Sequence, residues 1–341
     1  MSIVARVDAF TRRHPRSGYP LAVLYKFFDD QGGYLAALIA YYAVVSLFPL
    51  LMLLTAILGI VLKGDPELQN RIVDSVLQQI PVIGSQLKDT GELPGDWVSA
   101  SIALAGLLYG GLGVSVASQN AMNVIWAVPR NDRPNPIKVR VRGFFLLCTI
   151  GVAVTGLVVL NTMAATIEVE GLSRGFLRAG TIVLAIIVFT VAFRLGTVRE
   201  LRVVDVLPGA VVAGVGWQFL QEFGSYYVLR VVARASAVNS VFAVVLGLIA
   251  FAYVAGVLVV LSLEINAVRV DRLYPRSLLT PFTDNVVLTR GDRAVYRNLA
   301  KAQRNKGFEI VDVRFRPHRD HGAGDPGRRD PDEQESPGPG S

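Results

Sequence analysis

Long stretches without a charged residue constrain the fold of this chain more than any other feature of its sequence. No Lys, Arg, Asp or Glu occurs in residues 31–62, 97–129, 143–167 or 235–263. Each stretch is longer than the roughly 20 residues that an α-helix needs to cross about 30 Å of hydrocarbon. These four stretches therefore predict four transmembrane helices.

Two further stretches are weaker candidates for spans. Residues 179–193 are uncharged but short, so Arg178 and Arg194 would have to extend from the helix ends towards the interface. Residues 206–229 are long enough but contain Glu222. With both included, the sequence predicts an all-α polytopic membrane protein with six transmembrane helices.

The basic residues predict the orientation of these spans. Most of the 34 Lys and Arg residues lie in the amino-terminal segment, in the second and fourth connections between spans, and after the sixth span. Basic residues are enriched on the cytoplasmic side of membrane proteins. The distribution therefore predicts that both termini are cytoplasmic, and it requires the short fourth span to cross.

The composition also limits the chemistry that the chain can perform. Charged residues make up 18% of it, against about 25% in soluble domains. Cys148 is the one cysteine and the three histidines lie near the termini, so the sequence offers no disulfide and no cysteine-based metal site, and leaves little for histidine-based catalysis. It also lacks a GxxxxGK[ST] phosphate-binding loop and an HExxH metal motif. We therefore expect a protein that is not an enzyme, with no cofactor and no metal ion.

The sequence divides into four regions. They are an amino-terminal segment (1–33), a transmembrane domain (34–269), a small carboxy-terminal cytoplasmic region (270–316) and a disordered tail (317–341). In the first region, apolar residues between positions 21 and 28 recur at helical spacing, which predicts either an amphipathic helix along the interface or a cytoplasmic extension of the first span. In the third region, residues 292–306 predict a polar helix and residues 308–315 a short strand.

Polar residues inside the predicted spans are the candidates for a functional site, because each is costly in hydrocarbon. On the fifth span, a stripe at helical spacing is formed by Gln218, Gln221, Glu222 and Ser225. Glu222 is interpreted as a proton or cation site, or as a contact for a cationic headgroup. The alternative is a protonated acid that only hydrogen-bonds between helices.

Polar residues of the other spans complete the predicted substrate pathway. They are Tyr42, Ser46 and Pro49 on the first span, Gln119 and Asn123 on the second, and Glu264 on the sixth. Pro49 is expected to kink its helix, because its ring removes a backbone hydrogen bond. Glu264 lies near the cytoplasmic boundary, where we expect it to pair with Arg269 or with a loop arginine. The alternative interpretation is that these polar groups only join helices.

Three sequence runs resemble the YihY/BrkB family of bacterial inner-membrane proteins. They are GGYLAALIAYYAVVSLFPLLMLL (32–54), QNAMNVIWAVP (119–129) and LSLEINA (261–267). The resemblance covers roughly residues 20–275 and implies an inner-membrane protein with six helices and cytoplasmic ends. Members carry labels as different as ribonuclease, virulence factor and transporter, so it implies no substrate and no catalytic residues. Ser262-Leu263 stands where the family often has Gly-Ala, which predicts a less close helix contact there.

The sequence thus supports two kinds of function. The first is transport, or the translocation of a lipid or other amphiphile, by a protein without its own ATPase. The alternative is a membrane scaffold or envelope-assembly factor that acts through its carboxy-terminal region. The expected partners are membrane lipids with anionic headgroups on the cytoplasmic face. The glycines of the second span predict either a homo-oligomer or internal packing. No nucleic acid is expected, because the basic residues form no module with interleaved aromatic residues.

Overall fold

A computed structural model shows an all-α protein and describes residues 11, 13–61, 97–166, 172–230, 237–278, 280 and 286–315. Its helices are α1 (Tyr19–Asp29), α2 (Gly32–Val61), α3 (Trp97–Ile125), α4 (Pro136–Thr166), α5 (Leu172–Gly196), α6 (Val203–Arg230), α7 (Ala237–Val270) and α8 (Arg290–Ala302). No strand occurs among these residues, so the predicted all-α class is confirmed.

Four segments of the described chain are long and apolar enough to cross a membrane. They are Ser101–Ile125 on α3, Ala179–Gly196 on α5, Val203–Gly224 on α6 and Phe242–Val270 on α7. The protein is therefore an integral membrane protein, and the short fourth span is one of these four segments. The first and third predicted spans fall on α2 and α4, and their crossing stays a prediction.

Helices α2 to α7 pack in a ring that follows the order of the chain. Each helix packs against the next, and α7 returns to pack against α2, which also has the most extensive contact with α3. Among the described residues, helix α4 has the least contact with its neighbours in this ring.

Small residues set the closest helix contacts of the ring. A Cβ atom on Gly110 of α3 would lie 2.6 Å from Cα of Ser46 on α2, so the predicted close packing of the second-span glycines is confirmed there. Gly209 of α6 similarly lies against the backbone carbonyl of Ser262 on α7. The less close contact predicted beside Glu264 is therefore wrong, because the facing helix supplies the glycine.

The amino-terminal helix packs with the carboxy-terminal region at one end of the ring. A turn at Gln31, whose φ is 55°, separates α1 from α2, so α1 does not continue the first span. The Tyr19 hydroxyl donates a hydrogen bond of 2.6 Å to the carbonyl oxygen of Ile265 on α7. The opposite face of α1 exposes Leu24 and Phe28, as a helix lying at an interface would. A small apolar core joins α1, α7 and α8 and consists of Ala22, Val23, Val268, Leu273 and Val295.

Helix α8 begins with a capping box. The Thr289 hydroxyl accepts a hydrogen bond from the Asp292 N–H, and the Asp292 carboxylate accepts one from the Thr289 N–H. The polar helix predicted at 292–306 is confirmed, although it begins and ends a few residues earlier. The strand predicted at 308–315 is wrong, because the described chain offers no second strand with which this segment could exchange backbone hydrogen bonds. The tail at 317–341 lies outside the described residues.

Candidate functional site

A polar groove lies between α3 and the start of α4, at the end of the ring where the two helices are connected. It has a volume of about 270 Å³. Its lining consists of Val116, Gln119, Asn120, Asn123, Arg133, Pro134, Pro136, Val139 and Arg140. No acidic side chain belongs to this lining, so the two guanidinium groups give the groove a positive potential.

Gln119 ties the two walls of the polar groove together. Its amide nitrogen donates hydrogen bonds to the carbonyl oxygen of Val139 on α4, at 3.0 Å, and to the hydroxyl of Ser115, at 3.3 Å. The helices approach closely at this point because Gly143 of α4 faces Ser115, where a Cβ atom would lie 2.9 Å from the hydroxyl oxygen. Gln119 therefore sets the width of the groove at its buried end.

Arg133 is held in place by α3 and by the connection that follows it. Its Nε donates to the carbonyl oxygen of Val128 at 3.2 Å, and one terminal nitrogen donates to the side-chain oxygen of Asn120 at 3.3 Å. Burial, together with the nearby charge of Arg130, lowers the pKa of the Arg133 guanidinium. An anion in the groove would relieve both effects, because it would stabilise the charged form.

A second, mostly apolar groove adjoins the first and lies along α3 towards the middle of the predicted span. It has a volume of about 250 Å³ and shares Val116 and Arg140 with the polar groove. Its other lining residues are Tyr42, Leu108, Tyr109, Leu112 and Gly113. Together the two grooves are basic and polar at one end and apolar at the other. This arrangement is complementary to an anionic amphiphile, which has a negative headgroup and an apolar chain.

Three of the predicted pathway residues line these grooves. Tyr42 belongs to the apolar groove, and Gln119 and Asn123 belong to the polar one. Asn123 also holds the end of α5, because its side-chain oxygen accepts hydrogen bonds from the Thr197 hydroxyl and the Val198 N–H, each at 3.2 Å. Its amide is thus shared between helix packing and the groove.

Two other predicted residues of the first span lie at a helix contact instead. Ser46 packs against Gly110, and its hydroxyl donates to the carbonyl oxygen of Ala43 at 2.9 Å. The ring of Pro49 lies against Gly106, where a Cβ atom would be only 2.9 Å away. Both residues therefore belong to the seam between α2 and α3.

The structure does not bring the predicted stripe of the fifth span to the grooves. Gln218 and Gln221 are half-buried on α6, and the side chain of Ser225 lies outside the described part of the chain. Glu222 is exposed beside Phe219 and Phe223 on α6, eight residues before the end of this helix at Arg230.

Glu264 occupies a different environment from the one predicted. Its expected pairing with Arg269 or with a loop arginine is wrong, because Arg269 donates instead to the carbonyl oxygen of Val204 at 2.8 Å and the cation beside Glu264 is a lysine. Glu264 faces Lys26 of α1, with 3.6 Å between Oε2 and Nζ. Lys26 was not among the predicted site residues, although its spacing of four residues from Asp30 is a signal for an ion pair on a helix.

A second buried charge cluster, also overlooked, joins α1 to α8. Arg276 is fully buried and contacts the carboxylates of Asp292 and Asp29, the latter at 2.9 Å. Within the described residues, no group of three or more His, Cys, Asp or Glu side chains is arranged to hold a metal ion.

Comparison with known proteins identifies the group to which this membrane protein belongs. The family model described as virulence factor BrkB matches residues 23–283. The ribonuclease-like protein YfkH of Bacillus subtilis strain 168 is 26% identical over 263 residues, which cover 68% of this chain and 88% of that relative. No solved structure matches the chain. Since the family model covers both grooves and both charge clusters up to Arg276, the resemblance seen in the sequence is confirmed, and the chain belongs to the YihY/BrkB family.

Proposed function

We propose that this protein binds an anionic amphiphile in the two adjoining grooves and moves it across the membrane without an ATPase of its own. The observation that carries the proposal is that the two grooves share Arg140 and Val116 as lining residues. The headgroup would occupy the polar end between Arg133 and Arg140, and the acyl chains would follow the apolar end past Tyr42 and Tyr109.

Simple energetics favour this occupant over a small ion. A basic residue near an anionic lipid surface contributes about 1 kcal/mol of attraction. Each methylene group that leaves water contributes about 0.8 kcal/mol more. A small ion would gain the first contribution only, whereas an amphiphile gains both. The small contact between the described part of α4 and its neighbours supports movement as well, because α4 forms one wall of the groove.

The proposal includes an orientation and a location. We propose that the protein lies in the bacterial inner membrane with both termini in the cytoplasm, where the basic residues contact anionic headgroups. This orientation opens the polar groove towards the cytoplasmic leaflet. We also propose that the protein is not an enzyme, since the sequence has no nucleotide-binding loop and no catalytic metal motif. The name of the Bacillus relative therefore suggests no activity for this chain.

Translocation can be tested with purified protein in vesicles of phosphatidylcholine that contain a trace of fluorescent phosphatidylglycerol in both leaflets. Dithionite bleaches the fluorescent lipids of the outer leaflet at once. A slower loss of the remaining fluorescence reports the movement of lipid from the inner leaflet to the outer one. We expect the wild-type protein to accelerate this slow phase for the anionic lipid more than for a fluorescent phosphatidylcholine. Arg140→Gln should slow it about fivefold, which corresponds to the loss of about 1 kcal/mol.

Arg130→Gln is the matched control. Arg130 is also exposed and lies in the same connection, but it does not line either groove. A rate that falls equally in both variants would show that general surface charge, and not the groove, is responsible. Absence of a slow phase with either lipid would refute translocation.

A scaffold function is the second candidate, and one observation favours it. Phe308 and Ile310 follow α8 and are 87% and 92% exposed. Exposed apolar side chains on a segment outside the membrane offer a contact for a partner protein. If the protein is a scaffold, Phe308→Ser with Ile310→Ser should abolish its cellular role and leave lipid movement unchanged. Deleting everything from Arg276 onwards would be less informative, because that deletion also removes the charge cluster that fixes α1.

A further inference from the structure

Three ionisable side chains meet in a buried site where the turn between α1 and α2 reaches α7. Lys26 is 2%, Asp30 4% and Glu264 0% exposed. The Lys26 ammonium contacts one oxygen of Asp30, lies 3.6 Å from Oε2 of Glu264, and donates to the carbonyl oxygen of Ile125 at 3.1 Å. The site therefore joins α1, the start of α2, the end of α3 and α7.

The charges of this site do not balance. One ammonium group faces two carboxyl groups, so the site carries a net negative charge if both acids are ionised. Within the described residues, no N–H or hydroxyl group donates to Oδ1 of Asp30 or to either oxygen of Glu264. An excess carboxylate that is buried and lacks donors costs several kcal/mol. A proton on one of the acids removes the excess charge.

The groups around the site do not supply the missing positive charge. Helix α3 contributes the carbonyl oxygen of Ile125 at its carboxyl end, where the helix dipole is negative. Helix α1 contributes Asp29, whose partner Arg276 is already paired with Asp292. Asp292 in turn accepts hydrogen bonds from the Ser277 and Thr289 N–H groups. All of these neighbours favour an additional proton between Asp30 and Glu264.

The protonation of the groups outside the spans agrees with this balance. Burial raises the pKa of the Asp30 carboxyl, and the charge of Lys26 only partly opposes this effect. Burial lowers the pKa of the Lys26 ammonium, but Glu264 and Asp30 outweigh burial, so its pKa lies above the ordinary value. Lys26 is therefore the permanent cation of the site, and the two acids are the groups that exchange a proton with solvent.

We propose that Asp30 and Glu264 form a proton-binding site that holds one shared proton per chain beside a charged Lys26. The proton is taken up from water, and one carboxyl group then donates a hydrogen bond to the other. The site is independent of the proposed transport, since it requires only the packing of α1 against α7. Loss of the proton would leave one unbalanced negative charge beneath α1, so the contact between α1 and the ring depends on proton occupancy.

Infrared spectroscopy counts protonated carboxyl groups directly, because the carbonyl stretch of a neutral acid is separate from the bands of a carboxylate. At neutral pH, the wild-type protein should show a signal equivalent to one buried neutral acid per chain. Glu264→Gln and Asp30→Asn should each abolish it, since Lys26 then faces a single carboxylate. Lys26→Gln should double it, because both acids must then be neutral.

Glu200→Gln provides the matched control, because Glu200 is exposed in the connection between α5 and α6, outside the spans. It should leave the signal unchanged. The inference is overturned if the wild-type protein gives no neutral-acid signal, or if neither Glu264→Gln nor Asp30→Asn reduces it. A Lys26→Gln signal that remains at one acid would equally contradict the charge balance. Asp30→Asn and Glu264→Gln keep the shape of the side chain and lie on different segments. If one variant misfolds, the infrared signal of the other variant still tests the proposal.

Discussion

Arg276 should hold α8 and α1 together, and its replacement by Met tests this role. The Arg276 guanidinium contacts Asp292 on α8 and Asp29 on α1, and it lies 5.8 and 5.6 Å from the ring centroids of Tyr25 and Tyr296. Methionine keeps much of the length and apolar volume of the arginine stem but removes the charge. The variant therefore leaves two acids near each other without their shared cation.

The expected loss follows from the burial of these groups. Arg276 and Asp292 are fully buried, and the side chain of Asp29 is 9% exposed. Removing one partner of a buried ion pair costs about 3–5 kcal/mol. Since about 1.4 kcal/mol corresponds to a factor of ten in an equilibrium, the opening of α8 should become at least about 100-fold more frequent.

Hydrogen–deuterium exchange of α8, measured in detergent micelles, reads out this opening. We expect the amides of α8 to lose at least about 100-fold in protection, while those of α3 change little. Arg297→Met is the control, because Arg297 is exposed on the same helix and should alter protection by less than about threefold. Equal exchange of α8 in the two variants would refute the conclusion that the buried cluster fixes this helix.

Three further predictions concern stability. Gly209→Ala should cost about 1–3 kcal/mol of unfolding free energy in mixed micelles, because the new methyl group meets the Ser262 carbonyl. Gly180→Ala is the control and should cost nothing, because a methyl group at Gly180 would meet open space. Equal unfolding free energies of the two variants would contradict the close contact at Gly209. Tyr19→Phe should cost about 1 kcal/mol, because a hydrogen bond to α7 is lost, and an unchanged melting temperature would count against that bond. The raised pKa of Lys26 stabilises the folded protein at all pH values below its ordinary pKa, and this stabilisation is lost as pH rises through the raised value. The melting temperature should therefore fall in strongly alkaline solution in the wild type but less in Lys26→Gln, and parallel curves would exclude Lys26 as the titrating group.

The sequence alone was sufficient to predict that the protein is an all-α membrane protein. Hydrocarbon offers no hydrogen-bond partners, so a chain that crosses it must form helices or closed barrels, and long uncharged runs select helices. The short span at 179–193 was predicted from the distribution of arginines and falls on the apolar segment Ala179–Gly196. The three motif runs were also sufficient to indicate the family, because they lie within the matched residues 23–283.

The tertiary structure alone decided which polar groups meet. The sequence directed attention to Glu222 as an interior carboxylate, but α6 presents Glu222 on its exposed side, away from both grooves. Glu264 is the carboxylate that is fully buried, and its partner Lys26 comes from a helix at the other end of the chain. Hydropathy and helical spacing describe one helix at a time, whereas these contacts depend on the ring order that brings α7 back to α2 and on the packing of α1 across that junction. Local sequence therefore determined the membrane-spanning helices, and long-range packing determined the buried charges and the grooves.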